Sequence, residues 1–341
     1  MKKILLVGYY GYKNYGDDLL LNSFLKIFDE MKFDGVILLP LENKLEFSSN
    51  YTFDIQIVPR FNLYEIKKAI KESDLVVFGG GNLFQTETSY RSFLYYYCIA
   101  NVAAKENKTI LLLSQGFGSF KKNKGVKKLK KILCYPKLYG ILRDKTSYEF
   151  ATKINKNLSL GVDIGPYVFF DYEFKKTDKI AICLKEDHDL ELLISFLSTF
   201  SNFTISTLAI NANQDIMKNY DFVEKIRKKT NMKADLPIHD FQKITEEIAQ
   251  SKIVISDRLH SSLAGIFFEA KTLTYNNIKN RRVIKNIKED YSFFYKNTFE
   301  IPFCYYDLID SKYDFKNLSA IYKDKIEKTV FDIKKLIQSV L

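Results

Sequence analysis

Short apolar runs rich in Ile, Leu, Val and Phe alternate along the chain with longer stretches in which apolar residues recur every three or four positions. The short runs predict strands at 3–8, 34–39, 74–79, 109–114, 138–142 and 160–164, and a second series at 179–184, 203–208, 252–256 and 272–275. The longer stretches predict helices at 17–31, 62–72, 89–107, 125–133 and 144–155, then at 187–200, 215–230, 240–250 and 259–270. Strand and helix in strict alternation imply βαβ crossovers and parallel sheets covered on both faces. Two such series predict an α/β protein of two doubly wound, Rossmann-like domains. The seam falls in the polar stretch Asp171–Asp178, giving domains 1–172 and 173–310. Residues 311–341 predict a C-terminal helix whose apolar stripe, Ile321, Ile326, Val330, Ile333 and Ile337, needs a surface to pack on, the first domain being the candidate.

Composition narrows this picture only slightly. With 46% hydrophobic residues, 28 Phe and 23 Tyr among 341, the chain is a globular protein and not a disordered one. No segment approaches the roughly 20 apolar residues of a membrane span. The N-terminal run Ile4–Gly8 resembles the apolar core of a signal peptide but is too short and lacks a small-residue cleavage site, so a cytoplasmic protein is expected. Four cysteines are scattered without a Cys-x-x-Cys pair. Cys98, Cys134 and Cys183 sit among apolar neighbours and read as buried, reduced thiols. The three histidines, His188, His239 and His260, lack zinc-ligand spacing, and no metal site is predicted.

Charge changes the picture more. A net charge of +11 points to anionic partners: phosphorylated metabolites, nucleic acid or an acidic membrane surface. Two lysine-rich runs, 121–131 and 279–288, read as solvated helix faces or as contacts for anionic lipid headgroups at a membrane surface or for a lipid-linked pyrophosphate. No nucleic-acid-binding motif accompanies the charge, and no nucleic-acid partner is predicted.

In parallel α/β proteins ligands bind at the carboxyl ends of strands, so the residues just after each strand carry the chemistry. After the first strand comes Gly8-Tyr9-Tyr10-Gly11-Tyr12-Lys13-Asn14-Tyr15-Gly16-Asp17-Asp18. Its glycines allow tight backbone near an anion, with Gly11, Asn14, Gly16 and Asp17 as candidate lining. The spacing is neither the dinucleotide fingerprint nor a P-loop, and Asp17 or Asp18 could equally cap the next helix. After 74–79 the chain reads Gly79-Gly80-Gly81-Asn82-Leu83-Phe84-Gln85, then Thr86 to Ser92. Three consecutive glycines are hard to explain by packing alone, so Gly80, Gly81, Asn82, Gln85, Ser89 and Arg91 are candidate lining, with Ser89 or Thr88 a helix cap in either case. A third glycine turn, Ser114-Gln115-Gly116-Phe117-Gly118, adds Gln115 and Gly116. Arg143 stands at the end of 138–142, where it could meet an anion or pair locally with Asp144.

In the second domain Ile253–Ser256 leads into Asp257-Arg258-Leu259-His260-Ser261-Ser262 and an apolar helix. A guanidinium grips carboxylate or phosphate in a planar fork, and an imidazole two residues on can move a proton near neutral pH. His260 is therefore the candidate catalytic residue and Arg258 its anion-binding companion. His188 and His239 have no such company and read as surface or structural.

Taken in order, GYYGYKNYGDD (8–18), DLVVFGGGNLFQTETSYRS (74–92), SQGFG (114–118), LRDKTS (142–147) and DRLHSS (257–262) resemble the polysaccharide pyruvyl transferase family of bacterial cell-wall and exopolysaccharide enzymes over roughly residues 3–280. The resemblance implies a glycosyltransferase-B-like architecture and phosphoenolpyruvate as donor. It also implies a cyclic pyruvate ketal formed on a sugar of a cell-wall, capsular or other cell-surface polysaccharide or its precursor, lipid-linked or nucleotide-linked. It carries donor contacts to Arg258, Leu259, His260 and Arg143. The family's lysine after the next strand falls on Lys279, in Tyr275-Asn276-Asn277-Ile278-Lys279, one residue longer than the family pattern, with Arg281 and Lys285 as alternatives. Phosphoenolpyruvate would be a co-substrate, with no cofactor, and Asp17 a candidate base. The sequence leaves two competitors: a glycosyltransferase of the same architecture using a nucleotide-sugar, and a non-catalytic anion-binding protein.

Overall fold

The computed structural model describes residues 1–42, 51–87, 89–121 and 123–341. Thr88 and Lys122, members of the expected cap and of the first lysine run, lie outside the described residues. The chain divides into two units, one comprising 1–12, 19–168 and 325–341, the other 13–18 and 169–324.

The first unit is built on parallel strands β1 (Lys2–Val7), β2 (Gly35–Leu41), β3 (Asp54–Pro59), β4 (Leu75–Gly81), β5 (Thr109–Gln115), β6 (Leu138–Leu142) and β7 (Leu158–Leu160). They lie in the order β3-β2-β1-β4-β5-β6-β7, with Leu5 opposite Leu38 on one side and Val76 on the other. The central strands are unbroken apolar runs because helices cover both faces. Those helices are α1 (Tyr15–Glu30, from Leu19 on in this unit), α2 (Leu63–Glu72), α3 (Tyr90–Lys105), α4 (Asn123–Leu133) and α5 (Lys145–Thr152). Alternate residues Leu5, Val7, Val76, Phe78, Ile110 and Leu112 share one buried cluster with Ile66, Ile70, Phe93, Ala100 and Leu129. Asn62, Ser89 and Asp144 cap α2, α3 and α5 by accepting backbone amides.

The second unit holds β8 (Thr177–Cys183), β9 (Thr204–Thr207), β10 (Ser251–Ser256), β11 (Lys271–Tyr275) and β12 (Phe294–Tyr295), all parallel, in the order β12-β11-β10-β8-β9. Its helices are α6 (Leu190–Leu197), α7 (Ala212–Lys229), α8 (Phe241–Gln250), α9 (Leu259–Phe267), α10 (Ile278–Ile287) and α11 (Glu300–Asp310). The last helix, α12 (Phe315–Val340), gives its residues from Lys325 onward to the first unit.

Two doubly wound parallel α/β sheets with a C-terminal helix are thus the architecture that the alternating pattern predicts. The differences are local. β3 is an edge strand with only Val58 buried, so it has no apolar run to read. β12 is two residues long. α10 buries Asn280, Val283, Ile284 and Ile287 beneath what reads as a charge run. α11 carries Pro302 in its first turn, where a missing amide costs nothing. The strand expected at 160–164 ends at Leu160. All four thiols are free, but only Cys183 is buried. Cys98 and Cys134 are exposed, because neighbours in a helical sequence are not neighbours in space. No helix among the described residues is long and apolar enough to cross a membrane.

Candidate active site

The strand order reverses between β1 and β4 in the first unit and between β8 and β10 in the second. Such switch points open a crevice at the carboxyl ends of parallel strands. Most of the sequence-predicted site residues lie between the ends of β1, β4 and β10 and the first turns of the helices that follow them.

In the first unit the loop after β4 is shaped by close approach. The Tyr10 hydroxyl donates to the Gly79 carbonyl at 2.5 Å, and a Cβ on Gly79 would meet that hydroxyl. Gly80, at φ +82°, has Leu20 against it, and Gly81 has φ +81°. Packing and left-handed backbone therefore account for this glycine run, contrary to the expectation that packing would not. Gln115 is fully buried and donates its amide to the carbonyls of Gly80 and Phe78, fastening the glycine turn to β5. Arg143 is 1% exposed. Its guanidinium pairs with buried Asp163 and donates to Asn82 Oδ1 at 2.8 Å, and a Cβ on Gly116 would collide with Asn82 and Asp144. The local pair with Asp144 does not form, because Asp144 accepts from the amide and hydroxyl of Ser147 instead. Asn82, Gln115, Gly116 and Arg143 are thus brought together. Gln85 is half-buried, accepting the Glu87 amide, while Arg91 is exposed on α3 and Ser89 caps that helix. Gly11, at φ +81°, is also in this unit.

Residues 13–18 belong to the second unit. They are bound there by Tyr15 N–H to the Ile210 carbonyl at 2.8 Å and Ala212 N–H to the Lys13 carbonyl at 3.1 Å. α1 starts at Tyr15, so Asp17 and Asp18 stand inside its first turn and neither is its cap. Asp17 instead accepts the Asn14 amide at 2.5 Å. Gly16 lies against the His260 imidazole: a Cβ there would fall 1.9 Å from Nδ1. Asn14, Gly16, Asp17 and His260 are brought together by this docking.

The Asp-Arg-Leu-His segment links β10 to α9. Arg258 is the residue before the helix, and its Nε and Nη2 fork onto Asp215 of α7, with Gln214 accepting from Nη2 at 2.8 Å. Its Nη1 makes no hydrogen bond among the described residues, and the side chain is 17% exposed. Leu259, the first residue of α9, is itself buried in the core. Asp257 is a hub. Its Oδ2 accepts from the amides of Lys185 and Glu186 and pairs with His188 Nε2 at 2.9 Å, and its Oδ1 accepts from the Tyr295 hydroxyl at 2.8 Å. Burial alone would push this carboxyl up. The hydrogen bond and charge of His188, with the two backbone amides, outweigh burial and hold it below the ordinary carboxylate value. His188 Nδ1 meets Thr298 Oγ1 at 3.0 Å, so the ring is clamped at both nitrogens and its side chain is 1% exposed. His188 is therefore structural and not a surface residue, whereas His239 is exposed. Lys279 is exposed in the first turn of α10, which Asn277 caps. Asn280, one residue on, donates to the carbonyls of Tyr275 and Asp257 and so ties α10 to the same segment.

Sequence reading missed Asp215, Gln214 and Asn280, and of the two readings it left for His188, surface or structural, the structure has the second. Asp215 sits in a helix start after a short strand, where an acidic residue reads as a cap and gives no sign of holding an arginine. Among the described residues no group of three or more His, Cys, Asp or Glu is placed to hold a metal ion.

The sequence profile of the polysaccharide pyruvyl transferase family matches residues 14–277, a span holding both switch-point loops of the second unit and the glycine turns after β4 and β5. No curated protein matches the sequence. Among solved structures, HepE from Anabaena in complex with UDP-glucose superposes with a TM-score of 0.64 at 10% identity, covering 99% of this chain and 100% of its own. The UDP-GlcNAc 2-epimerase of Neisseria meningitidis bound to UDP-GlcNAc gives 0.62 at 10% identity over 100% and 99%. The S. aureus MnaA–UDP structure gives 0.62 at 12% identity over 99% and 97%. At these identities the likeness is one of fold, the glycosyltransferase-B architecture.

Proposed function

The chain belongs to the polysaccharide pyruvyl transferase family, and from that premise we propose that it transfers pyruvate from phosphoenolpyruvate to a sugar of a cell-surface polysaccharide or its precursor. The product is a cyclic ketal, and phosphate is released. The observation that carries this reading is the start of α9. Arg258 is held rigidly by Asp215 and Gln214 with Nη1 left for a ligand, and His260 stands two residues on, at the amino end of the helix. Phosphoenolpyruvate carries about three negative charges, and a preorganised guanidinium beside a helix amino terminus suits it. Lys279, exposed at the start of α10 in the same unit, is a further cation for the donor.

In this mechanism His260 protonates the enol methylene carbon, which leaves an oxocarbenium-like centre at the adjacent carbon. One sugar hydroxyl adds there, and its proton restores the one that His260 gave up. Phosphate departs with its bonding electrons, and a second hydroxyl of the same sugar closes the ring, its proton passing to the released phosphate. Arg258 neutralises the donor's carboxylate or phosphate throughout. The reading needs Arg258 as a ligand-binding cation, and thermal stabilisation tests it. Phosphoenolpyruvate at about 100 times its Kd adds ~2.7 kcal/mol to the native state, a shift that Arg258→Ala abolishes. The solved neighbours bound to UDP or a UDP-sugar support a nucleotide-sugar as ligand, and glycosyl transfer from it is the competing reading. Stabilisation by a nucleotide-sugar, with none by phosphoenolpyruvate, would replace pyruvyl transfer by that reading.

A further inference from the structure

Arg60 follows β3 and takes no part in the chemistry above. It is 4% exposed. Its Nη1 donates to the Gly8 carbonyl at 2.6 Å and its Nη2 to the Tyr96 hydroxyl at 2.7 Å. Among the described residues no carboxylate forms an ion pair with it, and Glu42 hydrogen-bonds the Tyr12 hydroxyl instead. Four tyrosine rings surround the guanidinium, with centroids at 4.7 Å for Tyr95, 5.5 Å for Tyr12, 5.6 Å for Tyr96 and 5.8 Å for Tyr9. Tyr9 and Tyr12 are stacked on each other, 4.3 Å apart, and Tyr9 is 38% exposed.

A guanidinium withdrawn from water without a carboxylate is costly, and ring faces offset only part of that cost. The two hydrogen bonds it makes do not require a charge, since a neutral amide could donate to a carbonyl and a hydroxyl equally well. Among the described residues the charge has no counter-ion, and a bound anion would supply one. Its position agrees. Gly8 ends the region of β1 beside the switch point, and the amino terminus of α2, favourable to negative charge, begins at Leu63. Phe61 and Leu63, 63% and 75% exposed, stand in the same turn and offer an apolar ledge.

We propose that Arg60 and the tyrosines around it form a second anion subsite, one that takes the pyrophosphate of an activated sugar acceptor. Calling the ligand an acceptor rests on the pyruvyl-transfer reading; the anion site itself does not. The pyrophosphate could be esterified to a prenyl chain, which would lie along Phe61 and Leu63, or to a nucleoside, whose base would stack on Tyr9. Titration calorimetry with inorganic pyrophosphate, farnesyl pyrophosphate and UDP tests the site, with phosphoenolpyruvate as an independent ligand. At least one ester binds the wild-type chain, and Arg60→Gln weakens it tenfold or more. Tyr9→Ala, at an exposed position, weakens it as well and decides the matter if Arg60→Gln does not fold. Phosphoenolpyruvate binding is unchanged in both variants. Weakening of farnesyl pyrophosphate alone in the double variant Phe61→Ser, Leu63→Ser identifies the lipid ester, and tighter binding of UDP identifies the nucleotide. Esters that do not bind, or that bind the folded variants as they bind wild type, overturn the proposal. Esters lost in Arg60→Gln while phosphoenolpyruvate never binds leave the subsite standing and overturn the pyruvyl-transfer reading.

Discussion

Asp257 stands first in the segment that carries the proposed chemistry, yet its carboxylate faces the loop after β8 and not a ligand. Four donors converge on it: two backbone amides, an imidazole and a phenol. Donors of this kind favour the ionised form, and they hold the carboxyl below its ordinary value despite burial. A carboxyl whose value is depressed on folding contributes stability that is fully present above about pH 4, its ordinary range. That stability is lost as pH falls through the lowered value. Asp257→Asn leaves two buried amides facing one neutral oxygen and removes the partner of His188. At pH 7 it should destabilise the second unit by about 2–4 kcal/mol. Urea melts of wild type and variant from pH 3 to 8 check this. The two curves converge as pH drops below about 4, whereas a constant gap across the range would show that the charge of Asp257 does not matter.

At the scale of elements, the place of Gly16 against His260, both within the second unit, gives an equally sharp expectation. Gly16 occupies the first turn of α1, where alanine would favour the helix by about 1 kcal/mol on propensity alone. The same methyl group would fall 1.9 Å from His260 Nδ1, so the ring must move. Gly16→Ala should therefore lower kcat at least tenfold while leaving the melting temperature within a few degrees. Unaltered kcat would mean that the position of His260 is not critical. Little of this was legible in the sequence. The central strands could be read because burial on both faces makes them unbroken apolar runs, as in Leu75–Phe78 and Ile253–Ile255. β3 could not, because an edge strand keeps Asp54, Ile55, Gln56 and Ile57 outside the core, and with it went Arg60. The glycine turns and the Asp-Arg-Leu-His segment were found by their place after strands. Their partners Asp215 and Asp163 were not, since each reaches its arginine across twenty residues of chain or more, nor was Asn280, which meets the Asp257 carbonyl 23 residues back. Arg143 shows the limit of the strand-end rule, which locates the residue but cannot say that Asp163 and Asn82 enclose it.

For the whole molecule, the division of α12 sets the terms. The helix was foreseen from its apolar stripe, and that stripe is buried at Ile326, Val330, Ile333 and Ile337. These residues belong to the part of α12 counted with the first unit, although the chain reaches them only after completing the second. Thr329 adds a hydrogen bond from the Val162 amide at 3.2 Å, just beyond β7, and a Cβ on Gly161 would strike it. Burying an Ile or Val side chain contributes roughly 1.5–3 kcal/mol, so four of them approach the ~5–15 kcal/mol that holds a typical domain together. Ending the chain after Asp324 should therefore unfold the first unit while the second keeps its sheet. The single change Ile333→Ala, costing about 2–5 kcal/mol, should weaken the first unit without unfolding it. Hydrogen exchange read by mass spectrometry separates the units. In the truncated chain, protection is lost over β1, β4, β5 and β6 and retained over β8, β10 and β11. Protection lost uniformly from both would mean that the two sheets fold as one cooperative body, and protection kept in both would mean that the end of α12 adds nothing to the first.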